Sequence, residues 1–412
     1  MTSPAEKYAR YRRDKSSPVF ADFAALYDFT LDDFQVGACK ELEAGNGVLV
    51  AAPTGSGKTL VGEFAVHLAL QQGRKCFYTT PIKALSNQKF NDLVRRYGAE
   101  QVGLLTGDNT INGEAPIVVM TTEVLRNMLY AGSRTLTGLG YVVMDEVHYL
   151  ADRFRGAVWE EVIIHLPESV SLVSLSATVS NAEEFGEWLS TVRGATTTIV
   201  EERRPVPLYQ HVMVGRRMYD LFADREGSAE AKVNPELLRV ARDDWRSART
   251  SDRRGKRGAP RGRAGARGQG RGPSQPTRFD VVDRLDSEGL LPAIYFIFSR
   301  VGCDAAVQQC LAMNLRLTTP QEAKEIRALV EERCAHIPDS DLFVLGYHDF
   351  LEGLTRGIAA HHAGMLPTFK ECVEELFAAG RCRVVFATET LALGINMPAR
   401  SVVIEKLVKW NG

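Results

Sequence analysis

Short, unbroken apolar runs punctuate this chain, with stretches of helical periodicity between them. In the first half the runs are GVLVAA (47–52), KCFYTT (75–80), IVVMTT (117–122), YVVMDE (141–146) and SLVSLSA (171–177). None alternates apolar with polar, as a strand with one wet face would. Each therefore reads as a strand buried on both faces of a parallel sheet. A second series follows: PLYQHVMV (207–214), AIYFIF (293–298), GIAAHH (357–362), RVVFAT (383–388) and SVVIE (401–405), the last again read as a buried strand. Strands alternating with helices twice over predict an α/β protein with two parallel-sheet blocks.

The pattern lapses between 224 and 285, where charged, Gly/Arg-rich sequence cannot bury a core. This segment is expected to be a disordered, low-complexity basic insertion within the second block, because PLYQHVMV precedes it. Residues 253–272 hold seven arginines, one lysine and no acid. Setting those eight charges aside takes the formal net charge from −1 to −9 for the rest. A near-neutral whole chain is thus no argument against a nucleic-acid partner. The basic run has two readings, a solvated spacer or a salt-sensitive tether for RNA or DNA.

Composition adds limits. With 45% hydrophobic and 25% charged residues the chain resembles ordinary soluble domains. No run of about 18 apolar residues exists, so no membrane span is expected. The start, MTSPAEKYARYRRDK, is basic without an apolar stretch behind it, which speaks against a secretory signal. Seven scattered cysteines with no C-x-x-C pair predict reduced thiols and a cytoplasmic protein. Cys334, His336 and His348 match no common metal-site spacing.

The chemistry concentrates in two places. AAPTGSGKT (51–59) follows a strand and opens a helix. A turn of Thr54, Gly55, Ser56 and Gly57 lets backbone N–H groups converge on phosphate oxygens at a helix N-terminus. Lys58 would reach the β- and γ-phosphates and the Thr59 hydroxyl would ligate Mg²⁺. Ala52 stands where the strict pattern has its first glycine, and a glycine-rich turn with a chance lysine is the bland alternative. The second place is Asp145-Glu146-Val147-His148, after the strand YVVM. Carboxylates there face the C-terminal sheet edge, where open α/β sheets bind ligands. Asp145 would hold the metal and Glu146 would orient and deprotonate the attacking water. Alone, an Asp-Glu pair is often only a helix cap.

Together with FTLDDFQ, TTPIKALSNQKF, LLTGD, VMTTEVLRNMLY, DEVHYLADRFRGAVWEE, LSATVSNAEEF, RPVPL, IFSR, HHAGMLP and ATETLALGINMPAR, these stretches resemble superfamily 2 helicases of the DExH type, in particular the Ski-complex and exosome-cofactor RNA helicase group. The resemblance covers nearly the whole chain except about 215–290. It implies two tandem RecA-like domains: 29–203 for ATP binding, after an extension over 1–28, and 204–412 for the second, carrying the 224–285 insertion. It implies ATP and Mg²⁺ as cofactors and single-stranded RNA or DNA as partner, with a ribonuclease or degradosome-like complex as a further partner.

Residue by residue, the resemblance makes Phe29 and Gln35 the adenine contacts and adds His148 to the catalytic set. It makes Ser176 and Thr178 the link between nucleotide and nucleic acid, with hydroxyls that can bond His148. Pro81, Lys83, Ala84, Gly107, Thr121 and Thr122 match nucleic-acid loops of the first domain, and Ser299, Arg300, Gly364 and Thr388 those of the second. Gly394 and Asn396 match positions near the ATP ribose and phosphates. Read singly, Phe29 would be core, Ser-Ala-Thr a turn, and the loop residues only loop residues. His361 and His362 fall in a loop near the track and receive no catalytic role.

The implied activity is ATP-driven 3′ to 5′ movement along a strand, with nucleotide and nucleic-acid binding reciprocally coupled. A DNA-directed relative shares these motifs, and an ATP-gated binding module without unwinding is the reading from another class. Family members continue past the strand at Ser401–Glu405 into a helix bearing Q-x-x-G-R-A-G-R, and such arginines contribute about 10³–10⁵ in rate. On that ground the chain is expected to be the N-terminal portion of a longer helicase that binds ATP and hydrolyses it feebly.

Overall fold

The apolar runs of the first half line up in one sheet, and the facing of individual residues explains why they are unbroken. In the computed structural model the strands are β1 (Gly47–Ala51), β2 (Lys75–Thr80), β3 (Val102–Thr106), β4 (Asn109–Ile111), β5 (Ile117–Thr121), β6 (Leu139–Met144), β7 (Ser171–Ser176) and β8 (Thr196–Val200). Their order is β4-β3-β5-β2-β6-β7-β1-β8, parallel throughout except for the β3–β4 pair. The structure describes residues 17–152, 156–177, 181–223, 232–242, 275–391 and 397–407.

Alternate residues of each strand enter opposite cores. Val48, Val50, Tyr78, Val119 and Val143 pack on one face with the helices Asp33–Glu43 and Thr59–Gln71. Leu49, Phe77, Val118, Val142 and Met144 pack on the other with the helices Gly156–His165 and Ala182–Arg193. Because helices cover both faces, both strand parities must be apolar. Each fully buried side chain of this kind contributes roughly 1.5–3 kcal/mol. The strand ends that this packing fixes carry the candidate chemistry.

The chain divides into two compact units, Met1–Pro207 and Leu208–Gly412. In the second unit β11 (Ala293–Phe296), β12 (Ile358–His361), β13 (Val384–Ala387) and β14 (Ser401–Ile404) form a parallel sheet in the order β12-β13-β11-β14. Ile294 and Val385 face one core, Tyr295 and Phe386 the other. Tandem parallel sheets of RecA type are what the strand pattern and the motifs predicted.

Four expectations need correcting. PLYQHVMV does not join the parallel sheet: only β9 (His211–Val214) is a strand, and it pairs antiparallel with β10 (Arg217–Asp220). A two-residue turn with Gly215 at φ 60° joins them, the geometry that favours glycine in a hairpin. β14 is an edge strand rather than a buried one, with Val402 59% and Ile404 52% exposed. The strands β3, β4, β8 and β10 were not anticipated; β8 is the threonine-rich TTTIV at the sheet edge, half-buried instead of fully apolar. Finally, 232–242 and 275–285 within the segment 224–285 carry structure: Val233 bridges Phe222, and the helix Arg278–Ser287 buries Val281, Val282 and Leu285 behind a Thr277 cap. The basic run 253–272 lies outside the described residues, as do Thr178, Gly394 and Asn396.

Candidate nucleotide site and nucleic-acid track

In the sheet of the first unit β6, β7 and β1 are adjacent, so the C-terminal ends of these three strands meet. The turn after β1 leads into the helix Thr59–Gln71 with Gly55 at φ 85° and Gly57 at φ 81°. These left-handed conformations strain any residue with a Cβ. At Gly57 an added Cβ would also lie 2.7 Å from the Gln35 Nε2. The amides of Gly57, Lys58 and Thr59 head the helix, where N–H groups lack intrahelical acceptors and the helix dipole favours an anion.

Lys58 is only 6% exposed, and its Nζ stands 3.6 Å from a Glu146 carboxylate oxygen. The two halves of the motif pair therefore face one another. Glu146 has φ 53°, a left-handed residue at the end of β6, and its N–H donates to Asp145 Oδ1 at 2.9 Å. Tyr78 Oη donates to Asp145 Oδ2 at 2.9 Å from the adjacent strand β2. Burial lifts the Glu146 carboxyl above its ordinary range; Lys58 pulls it back and Asp145 adds to the lift. Burial, reinforced by the Lys58 charge, lowers His148 and favours its neutral form. His148 Nδ1 is 3.2 Å from Glu146 Oε2 yet poorly aligned for a hydrogen bond.

Two buried hydroxyls at this edge, Ser56 Oγ and Ser176 Oγ, have no partner among the described residues. Buried polar groups are otherwise nearly always bonded, so an unpaired pair beside a glycine turn, a lysine and two carboxylates fits a ligand rich in acceptor oxygens and a hard cation. The residues suited to hold magnesium are Thr59 and Asp145, and those suited to the phosphates are Thr54 to Thr59, Thr59 through its N–H. The expected bond from Ser176 to His148 is not made; instead the Ser176 carbonyl accepts from the Ala52 N–H at 3.1 Å, tying β7 to the start of the turn.

Gln35 is buried and braces the turn: its Oε1 accepts from the Asp32 N–H at 2.9 Å and its Nε2 donates to the Gly57 carbonyl at 3.0 Å. One N–H and one lone pair of the amide stay available for a base edge. Phe29 is 56% exposed, with its ring 5.1 Å from that of Tyr27, so it is a surface platform and not core.

The other half of the same sheet edge belongs to β3, β5 and β2, which are also neighbours. Pro81, Lys83 and Ala84 follow β2, Gly107 follows β3, and Thr121 and Thr122 close β5. Lys83, Ala84 and Gly107 are exposed. Thr122 is fully buried and its hydroxyl donates to the Thr80 carbonyl at 3.4 Å, which makes it a brace between two loops. Lys83 Nζ is 2.5 Å from Asp108 Oδ2, and Lys83 and Thr106 hold the Asp108 carboxyl below its usual range.

In the second unit β12, β13 and β11 are neighbours, and Gly364, Thr388 and Ser299 follow them in turn. Ser299 Oγ caps the helix Arg300–Ala312 by accepting from the Gly302 N–H at 3.1 Å. The Gly364 N–H donates to His362 Nδ1 at 3.2 Å, which leaves Nε2–H to donate to Asp304 at 3.0 Å. An added Cβ at Gly364 would sit 3.6 Å from Arg300 Cδ, so that loop and the exposed arginine adjoin. The Thr388 N–H donates to the His361 carbonyl at 3.2 Å. Sequence reasoning did not single out Tyr78 or Asp108; one lies in a strand run and the other in a motif, but only the structure shows what they touch.

The DEAD/DEAH box helicase family matches residues 32–185, and the helicase conserved C-terminal domain matches 337–411. The helicase HelY of Mycobacterium tuberculosis is 64% identical over 393 residues, covering 95% of this chain and 42% of that protein. Human Superkiller complex protein 2 is 39% identical over 414 residues, covering 97% of this chain and 32% of its own length. The chain thus spans about two-fifths or less of these relatives. Among the described residues no helix is long and apolar enough to cross a membrane, and all seven cysteines are free and buried. With both conserved domains matched in order, and the phosphate turn, DEVH and HHAG stretches in place, the chain belongs to the DExH-box helicases of superfamily 2.

Proposed function

We propose that this chain provides the ATP-binding and strand-gripping portion of a cytoplasmic, ATP-dependent RNA helicase that moves 3′ to 5′. The observation that carries the reading is the convergence of Lys58, Asp145 and Glu146 beside two buried hydroxyls that have no partner among the described residues, on the same sheet edge as the loops after β2, β3 and β5. When bound, magnesium supplies charge neutralisation along the phosphates. The protein's part is to bind, orient and move one proton. Gly55 to Thr59 cradle the phosphates, Lys58 supplies a mobile cation, Asp145 is oriented by two hydrogen bonds, and Glu146 accepts the proton of the attacking water. Phe29 and Gln35 meet the base. The loop residues grip sugar and phosphate through backbone groups and small hydroxyls, which bind a strand without reading its sequence.

The name of the human relative places that protein in a complex, and a ribonuclease-containing assembly is the kind of partner proposed here too. The test of substrate is ATP turnover by the full-length protein with matched single-stranded RNA and DNA. Stronger stimulation by RNA is expected. Equal or greater stimulation by DNA overturns the RNA assignment, and strand binding without any turnover leaves an ATP-gated binding module instead.

The Lys83–Asp108 pair yields a second expectation. Both side chains are largely exposed, so water screens their attraction and a phosphate can displace Asp108. Asp108→Asn should strengthen single-strand binding by roughly two- to five-fold at low salt. It should also steepen the salt dependence by up to about 0.7 in log–log slope, one added phosphate contact. Fluorescence anisotropy across a salt series measures both, and an unchanged slope removes Lys83 from the track.

A further inference from the structure

The phenol of Tyr78 has no part in any motif role described above, yet it is completely buried and ends on the magnesium candidate. Its Oη donates to Asp145 Oδ2 at 2.9 Å. An ionised carboxylate can only accept, so the phenol hydroxyl is the donor in this bond. The ring cannot drift. Gly62, on the helix that follows the phosphate turn, passes so close that an added Cβ would lie 3.0 Å from Tyr78 Cε2. On the ring face stands the Lys89 ammonium, 5.2 Å from the centroid and 3.7 Å from Glu63 on that same helix. The carboxylate is thus held on two sides: the Glu146 N–H fixes Oδ1 at 2.9 Å and Tyr78 fixes Oδ2.

We infer that Tyr78 is a positioning residue that presets the Asp145 carboxylate for magnesium, through a hydrogen bond clamped between the strand β2 and the helix Thr59–Gln71. The inference rests on the nucleotide-site reading above. Its consequence is specific. Removing the hydroxyl frees one carboxylate oxygen to rotate, which weakens the metal's contribution to nucleotide binding and leaves the phosphate cradle unchanged. Loss of a group that orients a metal ligand typically costs about 10–100-fold in metal affinity.

The experiment is fluorescent ADP binding over a magnesium series, for wild type, Tyr78→Phe and Asp145→Asn, with thermal melting of each. Tyr78→Phe keeps the ring and its packing, so its melting temperature should stay close to wild type. Its affinity without magnesium should match wild type, while half-maximal enhancement should require about ten-fold more magnesium. Asp145→Asn should abolish the enhancement. If Tyr78→Phe follows the wild-type magnesium curve while Asp145→Asn loses it, the positioning role falls and the site stands. If Asp145→Asn also follows the wild-type curve, the carboxylate is not the magnesium group, and the site reading falls with the proposal. As a second probe, Gly62→Ala crowds the ring, along with Val143 and Leu175, without touching any polar group. A magnesium requirement shifted in the same direction supports the clamp; a wild-type curve from a folded Gly62→Ala protein counts against it.

Discussion

Glu146→Gln is expected to bind ATP and hydrolyse it about 10²–10⁴ times more slowly than wild type, the range associated with a positioned general base. Glutamine keeps the size and one acceptor oxygen but takes no proton. The cradle from Gly55 to Thr59 and the Lys58 ammonium are left in place, so binding survives. The pH profile supplies an independent check. Burial raises the Glu146 carboxyl above its ordinary range, Lys58 only partly opposing it, with Asp145 adding to the rise. The working form is the ionised one. The wild-type rate therefore falls as pH drops through that raised value, and the acid limb lies above that of an ordinary glutamate. The residual rate of Glu146→Gln should lack this limb. Turnover measured by phosphate release, together with ATP affinity by calorimetry, separates the outcomes. A variant with near wild-type turnover removes Glu146 from the chemistry.

The parts legible from sequence were those where one physical demand leaves one pattern. Strands such as Val48–Ala51 and Tyr141–Met144 are buried on both faces, so no polar residue interrupts them and they announce themselves. The phosphate turn is legible because left-handed Gly55 and Gly57 admit almost no other residue there. Edges are different. β8 and β14 pair on one side only and tolerate threonine or exposed valine, so the first was passed over and the second was judged buried. β9 looked like another parallel strand because its apolar content is the same; its hairpin partner, RMYD, is too polar to stand out. Burial is the part of a single residue's setting that sequence conveys least. Thr122 sits among the contact candidates in sequence but is wholly enclosed, whereas Phe29, which alone reads as core, lies open. Tyr78 was invisible for a related reason: in sequence it is one more apolar strand residue, and only the pairing of β2 with β6 brings its hydroxyl to Asp145.

Lys58→Ala is the substitution expected to cost most in binding. The ammonium is buried, and its one charged neighbour within reach among the described residues is Glu146 at 3.6 Å, longer than a good hydrogen bond. A cation held this loosely can turn to a phosphate oxygen with little to break. A hydrogen bond to a charged group contributes about 1.5–3 kcal/mol, and each 1.4 kcal/mol is tenfold in affinity. Removal should therefore weaken magnesium-ATP binding by roughly 10–150-fold. It also leaves the half-buried Glu146 without its cation, so the carboxyl rises further and the acid limb of any remaining turnover moves to still higher pH. Lys58→Arg sharpens the test. It keeps the charge but replaces a compact ammonium with a broad planar fork in a space only a few ångströms across from Glu146, so affinity should recover only in part. Calorimetric titration of wild type, Lys58→Ala and Lys58→Arg with ATP, alongside thermal melting to exclude unfolding, decides the matter. Equal affinity across all three would mean that the turn after β1 does not hold a triphosphate, and the roles of Asp145, Glu146 and Tyr78 would lose the ligand that unites them.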